Sequence, residues 1–189
     1  MTPRNRLAAS LAQKLAGVRA DPEFRGASLE IQTTREHEWV IAGPAETSKT
    51  WACLWKLDTD LRSTPGAQAV LVRKKRTHMN GTVLRTWRQL ITIRGGVKVN
   101  GGNNPDSYDY PNGSRLYVIG MDDPQKVLSG EYDWIVVNQA EELSKTDWEM
   151  LSMRCTGRGA VTQHPAMYGD CNPGPPTHFL KHRDGLKMF

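Results

Sequence analysis

Apolar residues along this chain fall in short unbroken runs. Glu38-Trp39-Val40-Ile41-Ala42, Ala69-Val70-Leu71-Val72, Arg115-Leu116-Tyr117-Val118-Ile119-Gly120, Trp134-Ile135-Val136-Val137 and Ala166-Met167-Tyr168-Gly169 each have strand length. Runs that do not alternate with polar residues predict strands buried on both faces. Helical stretches lie between them, over 51–57, 83–91 and 147–151. Leu7, Leu11, Leu15 and Val18 predict an earlier helix over 6–18, broken by Asp21-Pro22. Pro65-Gly66 marks a turn, and the Gly-, Asn- and Pro-rich stretch 95–112 predicts loop with short strands. No internal repeat is visible. Strands alternating with helices predict an α/β fold with a mainly parallel central sheet flanked by helices. Residues 1–30 read as a peripheral lead-in and 31–189 as the domain proper.

In such sheets ligands bind beyond the carboxyl ends of the strands, and the first apolar run leads into a suggestive segment. Gly43-Pro44-Ala45-Glu46-Thr47-Ser48-Lys49-Thr50 departs at one position from the phosphate-binding P-loop G-x-x-x-x-G-K-[ST], with Ser48 in place of the second glycine. Loop N–H groups and the helix N-terminus would face phosphates. Lys49 would reach the β- and γ-phosphates, and the Thr50 hydroxyl would bind Mg²⁺. ATP with Mg²⁺ is the ligand this predicts. The Cβ of Ser48 is expected to crowd the phosphates and weaken the loop without abolishing it.

A P-loop NTPase needs a second strand that ends in an acid holding Mg²⁺, with a neighbouring residue to polarise the attacking water. The run Trp134–Val137 is placed for that, yet it ends in Asn138-Gln139, two amides. Asn138 can organise Mg²⁺ through a water, and Gln139 can orient the attacking water but cannot take its proton. Glu141 and Glu142 follow at once. Glu142 lies about one helical turn from Gln139 and is the favoured catalytic carboxylate, with Glu141 second. Asn172, after the last run, is a candidate sensor of the γ-phosphate. Arg154 and Arg158 are candidate arginine fingers toward a neighbouring subunit. Cys155, His164, Cys171, His178 and His182 share the C-terminal third, but without a close cysteine pair they make a poor zinc set.

Composition narrows the setting. The chain has 189 residues, 38% hydrophobic and 24% charged, as expected of one globular domain. No apolar stretch approaches the roughly 20 residues of a membrane span. Three cysteines suggest a reducing compartment. The net charge of +5 is unevenly placed: the acid-free stretch between Asp60 and Asp106 holds nine bases, leaving sixteen against twenty acids elsewhere. Such asymmetry points to a polyanion, most simply double-stranded DNA. Arg73, Lys74, Lys75, Arg76, Arg85 and Arg88 are the candidate DNA contacts.

Taken together, Gly43–Thr47 before Lys49-Thr50, Tyr110-Pro111-Asn112-Gly113-Ser114-Arg115, Gly120-Met121-Asp122-Asp123-Pro124, Glu131-Tyr132-Asp133 with Glu141-Glu142-Leu143, Asp147-Trp148-Glu149 and Asp170-Cys171-Asn172-Pro173-Gly174-Pro175-Pro176-Thr177-His178 resemble the N-terminal ATPase domain of the large terminase subunits of tailed bacteriophages. The resemblance covers roughly residues 35–183. It implies a P-loop NTPase of the ASCE type that uses ATP and Mg²⁺ to drive viral DNA into a procapsid. It further implies a ring of subunits at the portal protein, a small terminase subunit as partner, no membrane, and assembly in the host cell cytoplasm. The family also carries a C-terminal nuclease, for which a chain ending at Phe189 is expected to be too short. Ser48 and Asn138-Gln139 depart from the family pattern and put turnover in question. Two other readings remain: a nucleotide-binding but hydrolytically weak or silent assembly module, and a helicase-like DNA translocase.

Overall fold

The computed structural model describes residues 22–160 and 164–189. The helix expected over 6–18 lies outside them. The strands are β1 (Glu38–Ala42), β2 (Gln68–Arg73), β3 (Lys98–Asn100), β4 (Ser107–Asp109), β5 (Arg115–Gly120), β6 (Trp134–Asn138), β7 (Ala166–Cys171) and β8 (Leu186–Met188). The helices are α1 (Ala27–Thr33), α2 (Lys49–Ser63), α3 (Val83–Arg94), α4 (Pro124–Leu128) and α5 (Lys145–Ser152). All eight strands form one sheet in the order β3-β4-β5-β2-β6-β7-β1-β8. Every pairing from β5 through to β8 is parallel, and only β3-β4 and β4-β5 are antiparallel. The mainly parallel α/β fold is as expected.

The unbroken apolar runs are explained by burial on both faces. Along each strand, successive residues feed opposite cores. Trp39, Leu71 and Val136 pack on one face with Leu54, Leu57 and Leu61 of α2 and Trp87 of α3. Val40, Val70, Val72, Ile135 and Val137 pack on the other with Trp148 and Leu151 of α5. Trp39 stacks on Tyr168 at 4.2 Å between ring centroids, which ties β1 to its neighbour β7. Gly169 allows β7 its close approach to β6, because a Cβ there would strike the Val137 carbonyl oxygen.

Several boundaries differ from the sequence expectation. The helix after the loop begins at Lys49 and runs to Ser63, longer at both ends. β6 takes in Asn138 and β7 takes in Asp170 and Cys171, so these polar residues belong to strands and not to loops. The division expected between 30 and 31 falls inside α1, whose Ile31 is buried and whose Gln32 donates to the Ala52 carbonyl at 3.2 Å. β8 has no counterpart among the apolar runs. It is held by Arg183, whose guanidinium donates to both Glu38 carboxylate oxygens, at 2.6 and 2.9 Å.

Candidate nucleotide site

β1 delivers the loop 43–50 to the carboxyl edge of the sheet, where the Gly43 N–H donates to the Cys171 carbonyl at 3.3 Å. The loop then folds on itself. The Thr47 hydroxyl donates to the Pro44 carbonyl at 2.9 Å, and the Lys49 ammonium donates to the same carbonyl at 2.5 Å and to Thr47 Oγ1 at 3.3 Å. Two residues take the left-handed backbone conformation, Glu46 with φ 64° and Ser48 with φ 60°. Glycine is therefore wanted at position 48 for its backbone, before any question of side-chain bulk. An L-residue there carries a strain of about 1–2 kcal/mol. Ser48 accepts it and begins α2, its carbonyl receiving the Ala52 N–H at 3.0 Å.

Two strands away, β6 ends at the other half of the site. Asn138 is register partner of Asp170 on β7, which lies between β6 and β1. Asn138 Nδ2 donates to both Asp170 carboxylate oxygens, at 3.0 and 3.2 Å, and the Thr50 hydroxyl donates to Asp170 Oδ2 at 2.9 Å. Asp170 is 5% exposed. Burial pushes its carboxyl above the usual range, against the opposing pull of the Asn138 and Thr50 hydrogen bonds. Asn138 Oδ1 is buried and has no hydrogen-bond partner among the described residues. Thr50 and Asn138 offer oxygens of the kind Mg²⁺ takes, and the orphaned Asn138 oxygen fits an ion or its bound water.

A cleft of about 370 Å³ is lined by residues 45–51, Thr86, Gln139, Asp170 and Asn172. It is contiguous through Thr50, Thr86 and Gln139 with a second cleft of about 470 Å³ reaching Arg85 and Gln89. A larger cleft, of about 850 Å³, opens over Tyr117, Ile119 and Tyr132 and contains no loop residue. Gln139 is left-handed, with φ 54°, and borders the first two clefts. Glu141 and Glu142 border neither. Glu142 forms a two-point ion pair with Arg73, at 3.0 and 2.7 Å. Glu141 Oε1 receives the Asn172 side-chain amide at 2.8 Å, while its Oε2 is buried without a partner among the described residues.

The basic segment is largely occupied with the fold. Arg73, assigned to DNA from the sequence, is 6% exposed at the end of β2. Besides Glu142 it binds Gln139, the His78 carbonyl and Thr82, so it braces the turn after β6 and is not available to a phosphate backbone. Lys74 pairs with Asp147 at 2.7 Å. Arg62 and Arg94 both pair with the fully buried Asp58, at 2.8 and 2.9 Å. Arg76 donates to Asn80 and to the Pro105 carbonyl, and Arg88 to the Asn103 carbonyl. Of the six candidate DNA contacts, Lys75 and Arg85 are exposed and make no ion pair among the described residues.

Arg154 and Arg158 lie at the other edge of the sheet. The Arg154 carbonyl receives the Tyr132 N–H, two residues before β6 begins, and Arg158 pairs with Glu131 at 3.5 Å. Neither belongs to the cleft of its own chain, so any finger role would act on a neighbour. Asp170 is the residue that motif reading passes over. It stands in plain view after an apolar run, but without strand order nothing connects it to Thr50 or Asn138. All three cysteines are free and buried, and burial pushes the Cys171 thiol up to about 11.

No protein-family model matches the sequence, and no curated protein matches it either. Solved structures do match the fold. The large terminase of a thermophilic bacteriophage, in complex with ADP, aligns with TM-score 0.74 at 12% identity, covering 88% of this chain and 45% of that one. The same terminase has also been solved with ATP-γ-S. The Thermus phage P74-26 large terminase ATPase domain aligns with TM-score 0.65 at 13% identity, covering 93% of this chain and 82% of that domain. The HK97 bacteriophage large terminase aligns with TM-score 0.61 at 8% identity, covering 81% and 34%. The chain therefore has the fold of large-terminase ATPase domains, and spans less than half the length of the ADP-bound terminase.

Proposed function

We propose that this chain is the ATPase motor domain of a viral DNA-packaging terminase, coupling ATP hydrolysis to movement of double-stranded DNA into a procapsid. The observation that carries the reading is the loop 43–50: Lys49 and Thr50 stand at the carboxyl edge of a parallel sheet, in a fold shared with large terminases solved with ADP and ATP-γ-S. Backbone N–H groups of the loop and the start of α2 would cradle the phosphates. Lys49 would leave the Pro44 carbonyl to neutralise charge on the β- and γ-oxygens. Mg²⁺, held through Thr50 and Asn138, would offset the charge of the phosphates. Gln139 borders the cleft and would orient the attacking water. Asn172 lines that cleft and donates to Glu141, which would then be the carboxylate to act there, while Glu142 is engaged by Arg73.

DNA, the portal protein, a small terminase subunit and a ring of like subunits in the host cytoplasm are the partners and setting this role requires. Among the described residues no helix is long and apolar enough to cross a membrane. Lys75 and Arg85, both exposed, would be the charges that meet a DNA backbone. Replacing both with glutamate should weaken duplex binding and reduce the salt slope by about 0.9 for each phosphate no longer neutralised.

The pair of amides at 138 and 139 and the engaged Glu142 favour a second reading, a nucleotide-binding module with weak or no hydrolysis. Single-turnover ATP cleavage, measured with DNA and portal present, separates the two. Cleavage that depends on both supports the motor; none in the complete system leaves only the silent module.

A further inference from the structure

We infer that Asp170 supplies the carboxylate toward the nucleotide's Mg²⁺ that β6 lacks, so that the metal-organising acid stands on the adjacent strand β7. This rests on the loop 43–50 being a nucleotide site. An isolated amide at Asn138 brings no negative charge to a divalent ion, whereas Mg²⁺ in nucleotide sites is usually bound through one or two carboxylates together with the phosphates. Asp170 meets that need from a fixed position. It is register partner of Asn138, so the two side chains project from the same face of the sheet, side by side.

Three further observations converge on the same carboxylate. Its Oδ2 holds the Thr50 hydroxyl at 2.9 Å, the hydroxyl that a P-loop turns toward Mg²⁺. Asn138 gives its Nδ2 to both Asp170 oxygens, which commits the amide's orientation and leaves the buried Oδ1 without a partner among the described residues. Asp170 itself is 5% exposed and has no ion-pair partner among the described residues, although buried charges are normally paired or bound to a metal. Thr50, Asn138 and Asp170 thus form one hydrogen-bonded group drawn from α2, β6 and β7. Among the described residues no group of three His, Cys, Asp or Glu side chains could hold a metal ion alone. The ion would therefore arrive with the phosphates.

The arrangement also explains how β6 can end in an amide. With the acid on β7, an aspartate at 138 would place two carboxylates against each other in a buried site. The amide instead donates to the acid and presents an oxygen of its own.

The test titrates ATP-γ-S into the full 189-residue chain with and without Mg²⁺, read by fluorescence of Trp51, which lines the cleft, and by the electron-spin signal of Mn²⁺ used in place of Mg²⁺. In the wild type the metal should tighten nucleotide binding. Asp170→Asn should lose that tightening by at least about 10–100-fold, the loss typical of removing even an outer partner of a metal site. Metal-free affinity is measured for each variant in the same titration, and the loss is read as the ratio of affinities with and without metal. The exchange Asn138→Asp with Asp170→Asn returns the acid to β6 and should restore both the tightening and the bound Mn²⁺ signal. An unchanged metal response in Asp170→Asn overturns the inference and leaves the nucleotide site standing. Loss in both the single and the exchanged variant, with melting temperatures retained, makes Asp170 a structural tie and also overturns it. If Asp170→Asn does not fold, the exchanged variant decides alone. Should the wild type bind no nucleotide with or without metal, the reading of the loop itself fails first.

Discussion

The loop after β1 and the turn after β6 stand on the same edge of the sheet, yet they are held together by opposite means. The loop's contacts are local: Lys49 and Thr47 both reach back to Pro44, within six residues of chain. The turn's contacts are distant. Asn138 binds Asp170, Glu141 binds Asn172, and Gln139 and Glu142 bind Arg73 some seventy residues earlier. A local ring of contacts can be recognised from a short string of residues. A network that joins three strand ends has no such string, because its members meet only after the sheet has formed.

Removing the key residue of each region should have different consequences. Lys49→Ala takes away the one cation of the local ring, and ATP turnover should fall about 10²–10³-fold, the usual cost of losing a preorganised charge-stabilising group. Steady-state phosphate release measures it; a fall of less than tenfold would mean that the loop does not carry the chemistry. On the turn side, Arg73→Met should destabilise the fold by about 3 kcal/mol, because Glu142 loses its partner in a half-buried position and Gln139 loses its brace. Urea unfolding reads this directly, and a change under 1 kcal/mol would reduce the distant network to a surface pair.

Smaller effects separate backbone from side chain. Ser48→Gly should stabilise the chain by about 1 kcal/mol, since the left-handed backbone at φ 60° then carries no Cβ penalty. A higher melting temperature with tighter nucleotide binding is expected. A fall in stability would show that the Ser48 side chain contributes more than its backbone costs. The smallest effect concerns the scaffold that β1 and β8 share. Burial raises the Glu38 carboxyl, but the hydrogen bonds and charge of Arg183 outweigh it, with Trp148 helping, and the net shift is downward from 4.5. The native state therefore binds this proton less readily than the unfolded chain, and the stabilisation is present above pH 4.5 and lost as the pH falls through the lower folded value. Glu38→Gln should flatten the acid limb of a stability–pH curve; an unchanged limb would assign it to other carboxylates.

Much of the fold is legible in the chain. The apolar runs locate five parallel strands because strands buried on both faces tolerate no polar alternation, and 95–112 keeps its character of loop with short strands. β8 leaves no such mark because Leu186-Lys187-Met188 is short and half exposed, and its place at the sheet edge comes from pairing with β1. The charged residues are harder to read. The acid-free stretch suggests a free basic face, yet Arg73 and Lys74 find acids contributed from outside it, and Arg62 and Arg94 share Asp58. Charge counted along a sequence says nothing about charge balanced across space.

Near neighbours along the chain are enough to set the layered α/β plan and the local contacts of residues 43–50, because apolar patterning and loop conformation are local properties. What stands beside that loop is decided by the folded arrangement alone. The strand order sets β7 between β6 and β1, and the parallel register sets Asp170 beside Asn138 and within reach of Thr50. Pairings between strands far apart in the chain arise from burying both faces of the sheet at once, a condition that no local stretch of residues contains.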